Sequence, residues 1–161
     1  MVFLTKEQMI RKASDNTYLH KDFHNLLNLG LEYVRNNYGE DAVREYLRQF
    51  TIAFHVPLKD AINARGLVAL KEYFENIYRL EEASDNIEFD MTENTLDVTI
   101  RRCPAVTHMK RCSVEVSQLF YETTKTVNET LLEGTPFAFS LASYNTGDGA
   151  SILQFYRREI R

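Results

Sequence analysis

The sequence predicts an α+β fold, in which an N-terminal helical layer packs on a mostly antiparallel four-stranded sheet. Two changes of pattern carry that reading. Through residues 18–80 apolar side chains recur three and four apart, the spacing of amphipathic helices. From Ser84-Asp85-Asn86 onward the period falls to two, the spacing of half-buried strands. No repeat, low-complexity tract or long linker interrupts the 161 residues. Residues 1–161 therefore read as one domain, with a helical part at 18–80 and a hairpin–helix–hairpin part at 86–161.

Each element has its own local cause. A short helix is expected over Lys6 to Lys12, closed by the turn-prone Ser14-Asp15-Asn16. From Tyr18, the residues Leu19, Phe23, Leu26, Leu27, Gly30, Val34 and Tyr38 fall on one side of a helical wheel. Gly39 supplies the stop. Val43, Tyr46, Leu47, Phe50 and Phe54 mark a second helix, which Pro57 interrupts. A short helix near Leu58 to Ala64 ends at Gly66, and Leu67, Leu70, Phe74, Ile77 and Tyr78 mark the next. Ile87, Phe89 and Met91, then Leu96, Val98 and Ile100, alternate with polar residues around Thr92-Glu93-Asn94, as a hairpin requires. Ser113 is expected to cap a helix running through Leu119, Phe120, Val127 and Leu131 to Gly134. Strands over Phe137 to Tyr144 and Ile152 to Arg158 flank the loop Asn145-Thr146-Gly147-Asp148-Gly149.

Composition excludes several classes of function. Nineteen basic residues against 23 acidic ones give a net charge of −4, without the basic excess that nucleic-acid binding usually needs. No apolar run approaches the ~20 residues of a membrane span. The opening Met-Val-Phe-Leu-Thr-Lys-Glu-Gln lacks the basic and apolar regions of a secretory signal. Cys103 and Cys112 are too few for a disulfide framework, so both read as reduced thiols in a cytoplasmic protein. Nine Tyr and ten Phe point to a homo-oligomer, because aromatic residues are enriched where subunits meet.

The chemistry-bearing residues are few. His20 and His24 sit four apart, so one helix face carries both imidazoles, a geometry suited to a shared metal ion. With Phe23 at the centre of the apolar stripe, His20 lies about 60° and His24 about 100° away, at the border of the buried face. The plainer reading is a pair of interfacial histidines bonded to their neighbours. Cys103-Pro104 follows a strand, and proline favours the first helical position, so Cys103 is placed at a helix N-cap. Backbone N–H groups and the positive helix end lower a thiol's pKa there, which suits a reactive thiolate or a metal ligand. Its plainer reading is a small apolar residue at a strand end. With His20 and His24, Cys103 would offer three ligands to a soft divalent metal such as zinc, leaving a fourth position for water or substrate. His108, five residues after Cys103, joins it only if the segment is irregular; otherwise it is a surface histidine. Arg101 and Arg102, like Arg157 and Arg158, suit bidentate binding of a carboxylate, though alternation along a strand turns only one of each pair inward.

Leu19-His20-Lys21-Asp22-Phe23-His24, Tyr38-Gly39, Tyr46-Leu47, Gly66-Leu67, a helix ending in Glu81-Glu82, and Cys103-Pro104 together resemble a bacterial family. It is the L-2-amino-thiazoline-4-carboxylic acid hydrolase family, and the likeness spans roughly Tyr18 to Arg158. The family's later pattern has a Gly, then Cys-x-Phe, then a basic residue. Gly149, Ala150, Ser151 and Gln154-Phe155-Tyr156-Arg157 keep its outline without the cysteine. The end of the chain is also similar to vinyl-reductase-type small-ligand-binding domains, which pair a helical layer with an antiparallel sheet. The resemblance implies a hydrolase that opens a small cyclic amidine or thiazoline carboxylate by attack of water at the carbon between nitrogen and sulfur. His20 and His24 would then be metal ligands or acid–base groups, and Cys103 a third ligand or a nucleophile. An arginine beside Cys103 would hold the carboxylate, with His108 as a further catalytic candidate. Two other classes use the same residues differently: a non-catalytic module that binds a small molecule or metal, and an oligomerising scaffold with an aromatic interface.

Overall fold

The structure, a computed structural model, describes residues 21–159. The helix expected over Lys6 to Lys12, and His20 with it, lie outside the described residues. Four helices come first: α1 (Lys21–Tyr38), α2 (Glu40–Phe54), α3 (Val56–Arg65) and α4 (Leu67–Leu80). A 3₁₀ turn at Ser84–Asn86 leads into β1 (Ile87–Met91) and β2 (Thr95–Ile100). Then follow α5 (Pro104–Arg111), α6 (Glu122–Leu131), β3 (Phe137–Tyr144) and β4 (Ser151–Arg157). The sheet runs β1-β2-β4-β3 with every neighbouring pair antiparallel, so the predicted α+β architecture is the one observed.

Alternation along the strands builds the first core. Leu96, Val98 and Ile100 of β2 point to one face, paired with Phe155, Leu153 and Ser151 of β4. Leu67 and Leu70 of α4, Ile62 of α3 and Leu132 beyond α6 close over that face. The opposite face carries Thr95, Ile152 and Tyr156, which are exposed, as an antiparallel sheet covered on one side allows. Gly66 joins α3 to α4 at φ 71°, a backbone region that favours glycine, and its N–H bonds Ile62 O at 2.8 Å.

The second core lies among the helices. Leu31 of α1, Val43 and Leu47 of α2, Val106 and Met109 of α5, and Leu119 and Phe120 of the following turns are buried together. The inward face of α1 differs from the sequence expectation. Leu26 is 67% exposed, and Phe23 and Tyr38 are also exposed, while Leu31 and Asn28 are buried. Apolar residues line both sides of this helix, so periodicity fixes that it is helical without fixing which side faces in. Long-range polar bonds favour the side that is buried. Asn28 Nδ2 donates to Glu115 O, and its Oδ1 accepts from Ser117 N–H, both at 2.8 Å. On α2 the same shift buries Val43, Leu47 and Thr51 and leaves Tyr46 and Phe54 exposed.

Ser113 does not cap a helix start. Its φ is 56°, and it closes α5 instead: Ser113 N–H bonds Lys110 O and Val114 N–H bonds Met109 O, a Schellman ending. The next helix, α6, begins only at Glu122. Serine is a common N-cap by side-chain chemistry, but here the left-handed backbone after α5 uses the position first.

Glu122 ties α6 to α2. Its carboxylate is buried and accepts from Arg44 Nε at 2.9 Å and from Thr126 Oγ1 at 2.6 Å. Burial alone would raise this carboxyl, but hydrogen bonds from Thr126, Arg44 and Tyr121 outweigh it and hold the group below its ordinary 4.5. A depressed folded pKa gives stability that is present above the unfolded value and lost as pH falls through the folded one. Arg44→Met should therefore destabilise the protein by about 1–2 kcal/mol at pH 7, a figure kept low because Arg44 is partly exposed. The gap between variant and parent in urea denaturation should shrink as pH falls below 4.5. A gap independent of pH would show that the pair does not act through the Glu122 charge.

Candidate active site around Cys103

Cys103 stands where the two cores meet. It follows β2 across Arg101 and Arg102, has an extended backbone (φ −80°, ψ 123°), and is the N-cap of α5 with Pro104 next to it. The cap placement is the one the Cys-Pro pair predicts. Cys103 O accepts from Thr107 N–H at 3.0 Å and Thr107 Oγ1 at 2.9 Å, while Cys103 N–H bonds Asp148 O at 3.0 Å. That last bond brings the β3–β4 loop onto the helix start. Gly149, at φ 71°, approaches so closely that a Cβ there would lie 2.4 Å from Cys103 Cβ and 3.0 Å from Val106 Cγ2. Glycine satisfies both the backbone angle and the missing space.

Residues of α4, α1 and β3 form the electrostatic surroundings of the thiol. Glu81, the last residue before the turn that closes α4, is only 2% exposed at its side chain. Its Oε1 lies 2.7 Å from Nε2 of the half-buried His24 of α1. The turn that directs Glu81 inward is a Schellman ending with Glu82 at φ 56°: Ala83 N–H bonds Tyr78 O at 2.8 Å and Glu82 N–H bonds Arg79 O at 3.1 Å. Tyr78 of α4 and Tyr144 at the end of β3 complete the surroundings, and the Tyr144 ring lies 6.1 Å from that of Tyr121, tilted by 56°.

The electrostatics follow from burial. Desolvation pushes the Cys103 thiol above its ordinary value, and the Glu81 charge adds to it. Hydrogen bonds from the Val106 and Ala105 N–H groups act the other way without overcoming burial. The free protein therefore holds a neutral thiol whose anion, once formed, already has two backbone donors. Burial first, then the neighbouring Cys103 and Glu81 charges, push the Tyr78 phenol up as well. Tyr144 is raised by burial, then by Cys103 and Asp148. Both phenols stay protonated donors across the ordinary pH range.

The other residues singled out in the sequence fall elsewhere. His108 Nε2 lies 3.5 Å from Cys112 Sγ, one helical turn further along α5. Arg101 is exposed and paired with Glu88 on the neighbouring strand, and Arg102 is exposed beside the outer side of α5. Among the described residues no three His, Cys, Asp or Glu side chains are grouped to hold a metal ion, and His24 Nε2 is engaged by Glu81. His20, the third member of the expected donor set, lies outside the described residues.

Glu81, Tyr78, Tyr144 and Gly149 join the site from positions that sequence reasoning had not assigned to it. Glu81 carried a signal: a carboxylate at a helix C-terminus opposes the helix dipole, and a local rule broken without local gain marks a tertiary role. No protein-family model and no curated protein matches this chain.

The two thiols should differ sharply in reactivity. Cys112 is exposed and Cys103 is half-buried with a raised pKa. Brief iodoacetamide treatment at pH 7.5, read by peptide mass spectrometry, should label Cys112 first. Labelling of Cys103 should accelerate as pH rises toward and past 9. Faster labelling of Cys103 at pH 7.5 would show a stabilised thiolate in place of the neutral thiol.

Proposed function

We propose that the protein is a hydrolase that opens a small cyclic amidine or thiazoline carboxylate, with Cys103 as nucleophile and the Glu81–His24 pair handling protons. The observation that supports this most is a buried carboxylate, bonded to an imidazole, whose charge is felt by a thiol at a helix N-terminus. The resemblance of the motifs to the thiazoline-carboxylate hydrolase family supports the substrate class. A neutral thiol becomes a nucleophile when an adjacent base takes its proton, and the Ala105 and Val106 N–H groups then stabilise the thiolate.

Sγ adds to the carbon between ring nitrogen and sulfur as the thiol proton passes to the Glu81–His24 pair. The pair returns the proton to the ring nitrogen, which leaves as an amine, and a thioimidate remains on Cys103. Water then adds to that carbon and expels the thiol, so one water enters overall and an S-carbamoyl amino thiol is released. No step uses a metal ion.

Turnover of 2-aminothiazoline-4-carboxylate, followed by mass spectrometry, tests this directly. The parent protein should open the ring and Cys103→Ala should not, while Glu81→Gln should slow turnover by about 10²–10⁴-fold. A covalent adduct on Cys103 should accumulate early. Full activity in Cys103→Ala would overturn the nucleophile. No turnover of this or simpler cyclic amidines would leave a ligand-binding module, and one bound zinc per chain would return His24 and Cys103 to ligand roles.

We also propose self-association through α1. No helix among the described residues is long and apolar enough to cross a membrane, yet Leu26, Leu29 and Tyr33 stand on the outside of α1, with Tyr33 62% exposed. A second copy covering this stripe would remove it from water. Sedimentation at micromolar concentration should give a dimer or larger species, with Leu26→Glu shifting it toward monomer. A monomeric parent protein would remove the proposal.

A further inference from the structure

A cleft of about 360 Å³ opens between the outer side of α5 and the β3–β4 loop, lined by Arg102, Val106, Thr107, Lys110, Arg111 and the Gly147–Asp148 backbone. Its charges are unusual for a chain of net charge −4. Every other arginine among the described residues has a hydrogen-bond or ion-pair partner. Arg102 and Arg111 have none among them, and both line this one cleft. Lys110 donates from Nζ to Gly147 O, which ties the loop to the helix and brings a third cation to the wall. Asp148 is the one carboxylate in the lining, and its Oδ1 accepts from Ala150 N–H to close the turn. Three cations against one anion leave the wall at +2.

We propose that this cleft binds a small oxyanion, a phosphate monoester or a carboxylate, held by the Arg102 and Arg111 guanidiniums. A guanidinium presents a planar fork of donors that matches two oxygens of either group, and two forks facing one cleft can share one anion. The volume suits a metabolite-sized ligand. The site does not depend on hydrolysis at Cys103, whose thiol is absent from the lining. The two share the start of α5, through the Cys103 N–H bond to Asp148 O and the Thr107 bonds to Cys103 O.

Isothermal titration of the full chain with inorganic phosphate and with malonate, at constant ionic strength set by chloride, tests the proposal. At least one of the two anions should bind with one site per chain. Arg102→Ala and Arg111→Ala should each weaken that binding about tenfold or more. Neither arginine has a partner among the described residues, so thermal melting without anion should be unchanged in both variants. Phosphate binding with malonate inert identifies a phosphorylated ligand, and the reverse identifies a carboxylate; either outcome supports the site. Heats no greater than those of chloride, or affinity retained in the double variant, would overturn it.

Discussion

The contact between Gly149 and Cys103 is the constraint on which the rest of the arrangement depends. A backbone with no room for a methyl group presses on the Cys103 Cβ, and the Cys103 N–H bonds the carbonyl just before that glycine. One side of this contact is the β3–β4 loop, which belongs to the sheet. The other is the start of α5, which packs with α1 and α2. α6 contributes to both hydrophobic cores, and this contact links sheet and helices at a second, tight point, with Cys103 on it. Close packing of this kind transmits displacement, because a well-filled interior has no slack to absorb it.

The same junction sets the chemistry of the thiol. Sulfur held in apolar surroundings stays protonated, while the first N–H groups of α5 favour its anion. Glu81 would be costly to bury alone; its bond to His24 offsets that cost and carries the pair to the thiol's neighbourhood. The turn that directs Glu81 inward places a non-glycine residue in left-handed backbone, a local strain of about 1–2 kcal/mol. Strain, a buried carboxylate and a desolvated thiol fall within one small region, which makes it the candidate site.

The basic cleft beside α5 follows a different rule. Elsewhere on the described surface, arginines are matched by carboxylates, amides or carbonyls, as expected in a chain with more acids than bases. Arg102 and Arg111 break that pattern together, on either end of one short helix. Their long side chains bring to a single opening charges that the backbone separates by two helical turns.

Local pattern was enough for the helices of α1 to α4, the hairpin of β1 and β2, the bounds of β3, and Cys103 at a helix N-cap. Each rests on short-range physics: periodicity of three to four or of two, turn residues, and proline's fixed φ. Long-range packing chose which side of α1 faces inward, because apolar residues line both sides and the choice rests on Asn28 bonding a loop almost ninety residues away. It alone moved the start of α6 to Glu122, since Ser113 had already been taken by the ending of α5. It alone brought Glu81 to His24 across 57 positions, and Gly149 onto Cys103. Spacing along a chain encodes contacts one turn or one strand apart. A site assembled from a helix end, a strand end and a loop is encoded in packing, which no local pattern records.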